Sequence, residues 1–597
     1  MLSTLLLALF YAATLCLAQL ALPNPPYIPP DAANGARQSF GRLQPNPQWS
    51  NLLGNLLYFY EAQRSGKLPS TNRVSWRNSS TENDGKDVNL DLSGGYFDAG
   101  DFIKATFPLS AALTSICWGA TDYGKAYDTT KQTAYLDDML RWGLDWLMKA
   151  HPSDNTLYVL VGNTDTDDAY WGGDQGIPTY RPSYQINDTN PGTDAAAGAS
   201  AAFSACSNLY ANRGFGGPFS SPASLQNSSY ADTLLTHAQQ LYSFAVNASG
   251  GQKTYQTSVP ATAKSYASSA YTDELTLAAL LLSWATNSTS LYQDAENYYQ
   301  QFKLAGNNGV FNWDSKTPGL AVLFAQMTQS SETLGGNLSS WQSEAERYFD
   351  RIVNKQGPAF LTEGGLLYYN GDSDDASINP ALNAAMLLTR YAPLASTSEK
   401  KNSYIQFAQS QVDYVLGNNP MHGASLPHTR RTMPNMNPLV PYIVGSHPNS
   451  PSNPHSAMAS GGNSASDIDT SPKEEAYVLY GAVIGGPDRR DRYFDIRSDW
   501  PETEVALDYN APMLTLAAMH VLNGLNDPFF VNLTIGAYES SRPKGLPCDS
   551  AFPKGCAGPH LSRGAKIAIG VVVTVVGLLI IGLLAWYLRT LKRSKTA

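Results

Sequence analysis

The chain has 597 residues, of which 43% are hydrophobic and only 15% are charged, against about 25% charged in a usual soluble domain. The apolar content is sufficient to bury a sizeable core, which excludes a wholly disordered chain. Forty Lys and Arg against fifty Asp and Glu leave a net charge of −10, which argues against a nucleic-acid partner because a phosphate backbone requires a basic face.

The N-terminal segment predicts secretion. Residues 1–18 form an apolar run that ends in small residues at Cys16 and Ala18, which is typical of a signal peptide, the alternative being a buried N-terminal helix. Residues 19–46 follow as an arm that begins rich in Pro and Asn. We expect this arm to lie over the surface of the main domain.

The body of the chain, residues 47–525, is predicted to be one large helical domain. Apolar residues recur about every 3.6 positions in twelve stretches, and alternation with a period of two is scarce. The stretches are 48–63, 102–118, 134–150, 195–211, 231–245, 271–286, 292–303, 317–328, 340–354, 379–392, 403–416 and 508–523. Long loops over 151–194 and 417–507 are where a binding cleft would be built.

The C-terminal region predicts a membrane anchor. Residues 526–566 are expected to form a juxtamembrane stalk, and 567–588 are 22 uncharged residues, long enough to cross a bilayer. The basic tail, 589–597, places that end in the cytoplasm and disfavours an exchanged lipid anchor. We therefore expect a single-pass type I protein of the plasma membrane with its large helical domain outside the cell.

Glycosylation motifs and cysteines agree with an extracellular location. Seven Asn-x-Ser/Thr motifs occur, at Asn78, Asn187, Asn227, Asn247, Asn287, Asn337 and Asn532. Cys548 and Cys556 bracket a short loop and are candidates for a disulfide. Cys117 and Cys206 lie in apolar helical patterns, which favours buried thiols. The Cys and His spacings match no metal motif, and we expect no metal and no cofactor.

The first candidate site is the segment 94–101, in which Asp98 and Asp101 are separated only by Ala and Gly. Small residues allow a backbone to approach a ligand closely. Two alternatives are that Asp101 caps the following helix and that the carboxylates belong to a calcium loop.

The second candidate site is the segment 495–511, where carboxylates, an Arg, a Trp and a Tyr precede another apolar helix. Glu504 abuts Val505, Ala506 and Leu507, and partial burial there raises a carboxyl pKa and keeps the group protonated. The alternative is a salt-bridged helix start. Two separated carboxyl sites in an aromatic-rich extracellular protein are typical of glycoside hydrolysis.

These segments carry a resemblance to glycoside hydrolase family 9, an inverting cellulase family, over roughly residues 47–525. The motifs that carry it follow one another in the family's order. They are YEAQRSGKLP (60–69), RVSWR (73–77), DLSGGYFDAGD (91–101), WGLDWLMKAHP (142–152), LYVLVGN (157–163), AYWGG (169–173), RPSYQI (181–186), YTDEL (271–275), FNWDSK (311–316), QVDYVLGNNP (411–420) and DIRSDW…TEVALDYNAP (495–512).

The resemblance implies an (α/α)6 barrel and hydrolysis of β-1,4-glucan links with inversion at the anomeric carbon. By the motif match, Asp101 is the general base that activates water, Asp98 helps to hold that water, and Glu504 is the general acid. An inverting pair is separated by roughly 6.5–9.5 Å, which leaves room for the water.

The resemblance also implies substrate contacts. Tyr509 matches a Tyr that lines the cleft, and His455 matches the first His of the family's PHHR motif. Trp171 and Trp313 match aromatic positions that stack on glucosyl rings, although core packing is the alternative for both.

The chain departs from the family pattern at several positions. Ala457 replaces the Arg of PHHR, and Asp168 replaces the His of the DADH segment, both near the cleavage point; His428 and Arg430 are candidates to compensate. In the calcium-binding segment Gly198 stands at the Glu position, while Asp194 and Asp273 remain, which predicts a weakened or absent calcium site.

Three functions remain open on these grounds. The main one is an anchored, monomeric endo-β-1,4-glucanase that acts on cellulose or a related β-glucan. The second is an exo-acting β-glucosidase or glucosaminidase whose cleft is blocked by the insertion near 427–470. The third is a cell-surface glucan-binding protein without catalysis, which the presence of Asp98, Asp101 and Glu504 argues against.

Overall fold

The computed structural model describes residues 19–39, 42–419, 439–556, 578 and 580–584. The chain divides into two compact units, Met1–Lys544 and Gly545–Ala597. The predicted signal peptide 1–18, most of the predicted span 567–588 and the tail 589–597 lie outside the described residues. Within the described part, no helix has the length and apolar character that a membrane crossing requires.

Twelve long helices form the framework of the first unit's described part, at the positions that the sequence periodicity predicts. In chain order they are α1 Pro47–Ala62, α2 Thr106–Asp122, α3 Thr133–Ala150, α4 Thr193–Tyr210, α5 Ser228–Asn247, α6 Thr272–Thr286, α7 Thr289–Gln301, α8 Thr317–Ser330, α9 Leu338–Val353, α10 Ile378–Tyr391, α11 Ser398–Val415 and α12 Leu507–Asn523.

The even-numbered helices form an inner ring. In the described chain, α2 packs on α4, α4 on α6, α6 on α8, α8 on α10, α10 on α12, and α12 returns to α2. Each inner helix is also packed against an odd-numbered helix, as in the pairs α4 with α5 and α8 with α9. The helical barrel that the family resemblance implies is therefore the architecture of this unit, built from the helices that the periodicity predicts.

Composition explains which helices are inside. All residues of α4 are buried, and its run of Ala, Gly and Ser lets neighbouring backbones approach on both sides. The outer helix α9 is amphipathic, because its buried residues Trp341, Ala345, Tyr348, Phe349 and Ile352 recur at helical spacing along one face.

Short strands lie between the helices, which the all-α expectation did not include. They are β1 Lys104–Ala105, β2 Thr156–Val161, β3 Ser183–Asn187, β4 Ala359–Leu361 and β5 Leu367–Tyr369. The antiparallel sheet β1-β2-β3 pairs Lys104 with Val161 and Leu157 with Ile186, and β4 pairs with β5. The first sheet ties the chain that leads into α2 to the long loop 151–194.

A disulfide joins two inner helices. Cys117 of α2 is bonded to Cys206 of α4, with 5.0 Å between their Cα atoms. The expectation of two buried thiols is therefore wrong in one respect: both cysteines are buried but paired. The sequence separates them by 89 positions, and only the packing of α2 on α4 brings them together. The predicted pair Cys548–Cys556 is bonded within the second unit.

Both ends of the first unit pack onto the barrel. In the N-terminal arm, the Leu20 amide donates to Asp137 at 2.7 Å, and the Tyr27 hydroxyl donates to Asn55 at 2.6 Å. After α12, the buried side chains of Phe530 and Tyr538 join the main hydrophobic core. The segment 526–541 thus adds to the barrel's packed surface.

Candidate active site

Asp98 and Asp101 lie in an irregular loop that ends before α2. The helix begins at Thr106 and is preceded by Ala105, so Asp101 does not cap it. The loop turns back on itself through a hydrogen bond from the Asp98 amide to the Ile103 carbonyl at 3.1 Å. The carboxylates are therefore free of a helix-capping role.

Main-chain hydrogen bonds fasten three distant segments together at this loop. The Leu507 amide donates to the Asp98 carbonyl at 3.0 Å, and the Ala457 amide donates to the Gly100 carbonyl at 2.8 Å. The His455 amide donates to the Thr503 carbonyl at 2.8 Å. Because main-chain bonds fix the backbones directly, the side chains of all three segments are held in register.

Gly100 is required by this arrangement. A Cβ atom at position 100 would lie 2.0 Å from the His455 carbonyl oxygen, far inside van der Waals contact. The absence of a side chain also lets the Gly100 amide donate to the Glu504 carboxylate. This glycine thus joins the two candidate segments that the sequence separates by some 400 positions.

The fastened segments border a cavity of about 450 Å3. Asp101 and Glu504 both line it. The other lining residues are Ala99, Gly100, Ile103, Thr164, Asp167, Asp168, Tyr170, Trp171, Lys264, Ser265, Tyr266, His455, Ala457, Ile468 and Trp500. This composition of carboxyl, hydroxyl and aromatic groups suits a neutral, polyhydroxylated ligand.

Asp98 is 1% exposed and lies beside Tyr266, which lines the cavity. The Tyr266 hydroxyl donates a hydrogen bond to the Asp98 carboxylate. Burial raises the pKa of Asp98 to about 7, against the opposing effect of that hydrogen bond. Asp98 is therefore poised to change protonation near neutral pH.

Asp101 is half-buried next to Asp167. The two carboxyl groups share a hydrogen bond, and Asp167 also accepts the amides of Phe102 at 3.0 Å and Ile103 at 3.1 Å. Burial, followed by the nearby carboxylates of Asp167 and Glu504, raises the pKa of Asp101 well above its usual value. A hydrogen bond between two carboxyl groups requires one proton, so the pair carries one negative charge when that bond is made.

Glu504 follows the short helix Trp500–Thr503 and precedes α12. Burial, followed by the charges of Asp98, Asp508 and Asp168, raises its pKa to about 8. The group is therefore protonated at neutral pH, as the sequence analysis expects from its apolar neighbours.

Of the four predicted substrate contacts, Trp171 and His455 border the cavity. Their rings lie 4.9 Å apart, and Trp171 is 5% exposed. The His455 ring nitrogen Nδ1 lies 2.7 Å from the Arg497 carbonyl, which fixes the ring plane. Burial lowers the pKa of His455, so the ring is neutral near pH 7.

Trp313 and Tyr509 do not line this cavity in the described part of the chain. Trp313 is partly buried and packs edge-on against Tyr266, with ring centroids 5.3 Å apart. Tyr509 is half-buried in the first turn of α12, near enough to Glu504 and Asp508 for their charges to raise its pKa. Both residues therefore lie next to the site without forming its wall.

The departures from the family pattern lie in the cavity wall. Ala457 packs in a small apolar cluster with Phe97, Phe102 and Trp171. Asp168 forms an ion pair with Lys264 at 2.7 Å. His428 and Arg430, named above as candidates to compensate, lie outside the described residues.

Main-chain amides donate hydrogen bonds to the two carboxylates at the predicted calcium positions. Asp194 accepts the amides of Ala195 at 2.8 Å and Tyr255 at 2.9 Å, and Asp273 accepts the amide of Lys316 at 2.6 Å. A side chain at Gly198 would meet the Phe107 ring at 3.4 Å rather than an oxygen ligand.

Sequence analysis missed Asp167, Tyr266 and Lys264 as members of the site. Asp167 directly precedes Asp168, which was already singled out as a departure from the family pattern. The cluster of three carboxylates Asp165, Asp167 and Asp168 was the sequence feature that could have indicated it. Tyr266 lies in the sequence AKSYASS, which has no charge cluster or glycine pattern around it. Its role is visible only where the short helix Ala263–Tyr266 meets the loop 98–101.

Comparisons with known proteins show which proteins this chain is similar to. The family model described as "Glycosyl hydrolase family 9" matches residues 49–517. Endoglucanase A of Bacillus pumilus is 34% identical over 77% of this chain, which spans 64% of that protein's length. Endoglucanase 13 of Arabidopsis thaliana is 32% identical over 81% of this chain and 95% of its own. The solved endoglucanase of the termite Nasutitermes takasagoensis superposes with a TM-score of 0.68 at 34% identity, covering 80% of this chain and 99% of its own.

Proposed function

Because the chain belongs to glycosyl hydrolase family 9, we propose that it is an endo-acting β-1,4-glucanase that hydrolyses cellulose or a related β-glucan. One observation supports this most directly. Asp101 and Glu504, from two segments about 400 positions apart, line one cavity of about 450 Å3, and Asp98 lies beside it, bonded to the lining residue Tyr266.

The proposed reaction is a single displacement with inversion. Asp101 takes a proton from a water molecule, whose oxygen forms a bond to the anomeric carbon as the glycosidic bond breaks. Glu504 gives its proton to the departing sugar oxygen, and Asp98 holds the water in position. One water is consumed, and each carboxyl returns to its starting state after proton exchange with solvent.

The protonation states support this division of roles. Glu504, with a pKa of about 8, carries the proton that an acid must donate at neutral pH. Asp101 and Asp167 both line the cavity and share one proton through their hydrogen bond, so the pair carries one negative charge there, and a shift of that proton to Asp167 frees Asp101 to act as the base. A bell-shaped pH profile follows, with an alkaline limb near pH 8 set by Glu504.

The sugar next to the cleaved bond is contacted in this proposal by Trp171 and His455. Trp171 contributes an aromatic ring to the cavity wall, and the neutral His455 contributes an imidazole ring beside it. Tyr509 and Trp313 lie next to the site, near Glu504 and Tyr266, and we assign to them contacts with neighbouring sugars of the glucan chain.

A product analysis on cellopentaose and carboxymethyl cellulose tests the function. An endo-acting enzyme lowers viscosity steeply per reducing end formed, and inversion yields the α-anomer as the first product by NMR. Release of glucose alone from chain ends favours the exo-acting alternative, and binding without any product favours the non-catalytic one.

Isosteric variants test the assigned roles. Asp101→Asn and Glu504→Gln each remove a proton-transferring group while keeping shape, and we expect kcat to fall by about 10²–10⁴. The substitution Asp232→Asn, on the exposed face of α5, is the matched control and retains full activity. Full activity of either site variant contradicts the assignment.

We also propose that the catalytic domain is extracellular and monomeric, anchored at the plasma membrane by residues 567–588. The seven glycosylation motifs have asparagines that are exposed or partly exposed, and both disulfides favour an oxidising compartment. Intact cells that hydrolyse a soluble glucan, and lose that activity on truncation at 562, meet this expectation.

A further inference from the structure

Two short helices carry the groups that touch the site's aspartates. The helix Thr164–Asp168 places Asp167 against Asp101, and the helix Ala263–Tyr266 places Tyr266 against Asp98. Each is only four or five residues long, too short to hold its position by its own hydrogen bonds. Their positions must therefore come from contacts with their surroundings.

The two helices are joined to each other by side chains. The Lys264 ammonium lies 2.6 Å from Asp165 Oδ1 and 2.7 Å from Asp168 Oδ2, so it bridges two carboxylates one helical turn apart. Beside it, the hydroxyls of Thr164 and Ser265 lie 2.9 Å apart. Three polar contacts thus connect one helix to the other at the rim of the cavity.

We propose that Lys264 is a positioning residue of this enzyme, whose bridge to Asp165 and Asp168 holds the two short helices in the relative position that the aspartate contacts need. If the bridge opens, Asp167 and Tyr266 move independently of each other. The inference rests on the proposed function, in which Asp101 activates the water and Asp98 holds it.

The expected effect of losing the bridge on kcat is small, because the bridging side chains are exposed to solvent. The side chains of Lys264 and Asp168 are 51% and 52% exposed, and that of Asp165 is 81% exposed. Solvent-exposed ion pairs contribute little each, and the pairs are screened by salt. Loss of the bridge should therefore lower kcat by about two- to five-fold rather than abolish activity.

The test compares Lys264→Met with Lys264→Arg on cellopentaose, an uncharged substrate. We expect Lys264→Met to lower kcat by about two- to five-fold with KM little changed, and Lys264→Arg to restore most of the loss. The Lys401→Met variant, on the exposed side of α11, is the matched control and keeps wild-type kcat.

The dependence of kcat on ionic strength is a second measurement. It would show no change if the role of Lys264 were purely structural. Raising salt from about 0.01 M to 0.5 M shortens the screening length to a few ångström, so wild-type kcat should fall towards that of Lys264→Met. The variant itself should respond little. Melting temperatures of all variants establish that the fold is retained.

The outcomes separate the inference from the function it rests on. A wild-type protein without activity, or a fully active Asp101→Asn variant, overturns the proposed function. An active wild type with unchanged kcat in Lys264→Met overturns the positioning role, and a raised KM at constant kcat replaces it with direct sugar contact.

Discussion

The Tyr266 hydroxyl donates a hydrogen bond to the Asp98 carboxylate across 168 positions of sequence. This bond opposes the effect of burial, which holds the pKa of Asp98 at about 7. It also places Tyr266, from the short helix Ala263–Tyr266, in direct contact with the buried Asp98. The site is therefore sensitive to changes in a segment that carries no recognisable motif.

Removing this bond should shift the pH profile. In Tyr266→Phe the pKa of Asp98 rises further, because burial is no longer opposed, and kcat at pH 6 should fall about ten-fold. The acidic limb of the profile moves to higher pH. A profile of kcat from pH 4 to 9 checks the shift, with Tyr298→Phe on the outer helix α7 as the control. An unmoved limb contradicts the assignment.

Asp167→Asn should move the profile in the opposite direction. The Asp167 carboxyl raises the pKa of Asp101, and the amide keeps an oxygen to accept the Phe102 amide at the same place. With one negative charge removed, the pKa of Asp101 falls and the acidic limb shifts to lower pH. The same pH profile of kcat, with Asp232→Asn as the control, measures the direction in which the acidic limb moves. A shift of that limb to higher pH contradicts the prediction.

Gly100→Ala should disable the site. The new Cβ collides with the His455 carbonyl, and relief of that collision separates the Gly100 amide from Glu504. We expect at least a hundred-fold loss of kcat, on the scale of losing a general acid. Gly173→Ala is a fair control, because a Cβ there meets nothing within 4 Å. An active Gly100→Ala enzyme means that the backbone register is not required.

Stability should fall as pH rises from 6.5 to 8. Burial raises the pKa of Asp98 and Asp194 to about 7 and that of Glu504 and Asp508 to about 8. A carboxyl with a raised pKa in the folded state contributes stability that is complete below its unfolded pKa and is lost as pH rises through the folded pKa. The melting temperature of the ectodomain should therefore be lower at pH 8 than at pH 6.5.

Buried histidines lower the stability of the folded protein on the acidic side. Burial lowers the pKa of His151, His447 and His520 from 6.5 to about 4. Their contribution to stability is present above pH 6.5 and is lost as pH falls towards 4. Between pH 4 and 6.5 the histidine contribution grows while the carboxyl contribution is already being lost, so the two oppose each other there. Calorimetry across pH 4 to 8 should find the net fall in melting temperature between pH 6.5 and 8, and a monotonic rise up to pH 8 contradicts this prediction.

The inner-ring disulfide should add measurably to stability. Replacing Cys117 and Cys206 by Ala opens an 89-residue loop, which costs about 2–4 kcal/mol in unfolding free energy for disulfides of this kind. Denaturant unfolding of the double variant measures the loss. The short loop closed by Cys548 and Cys556 is the comparison, because closing eight positions restricts the unfolded chain less.

Much of the fold was predictable because helix periodicity is local. The twelve stretches correspond to α1–α12, since each helix has to turn an apolar face towards the ring and the spacing of Leu, Ala and Phe records that face. The strands β1, β4 and β5 are too short to leave an alternating pattern, and β2 does not alternate because it is buried along nearly its whole length. Two residues at β1 carry no periodicity at all.

The residues of the candidate site were predictable only where carboxylates and small residues lie close together along the chain. Asp98, Asp101 and Glu504 stand in dense groups of carboxylates and small residues, and the family resemblance orders them. Asp167 and Tyr266 complete the site through contacts across helices. No local pattern in the sequence distinguishes Tyr266 from the other thirty-three tyrosines.

The sequence by itself determined the family, the helical body and the three carboxyl groups, because periodicity and motif order are properties of neighbouring residues. The tertiary structure alone decided the bond between Cys117 and Cys206, the partner of Asp101, and the bridge made by Lys264. Each of these contacts joins residues that are far apart in the chain. Such residues come together only through the packing of helices and loops, which the sequence of a single helix or loop does not specify.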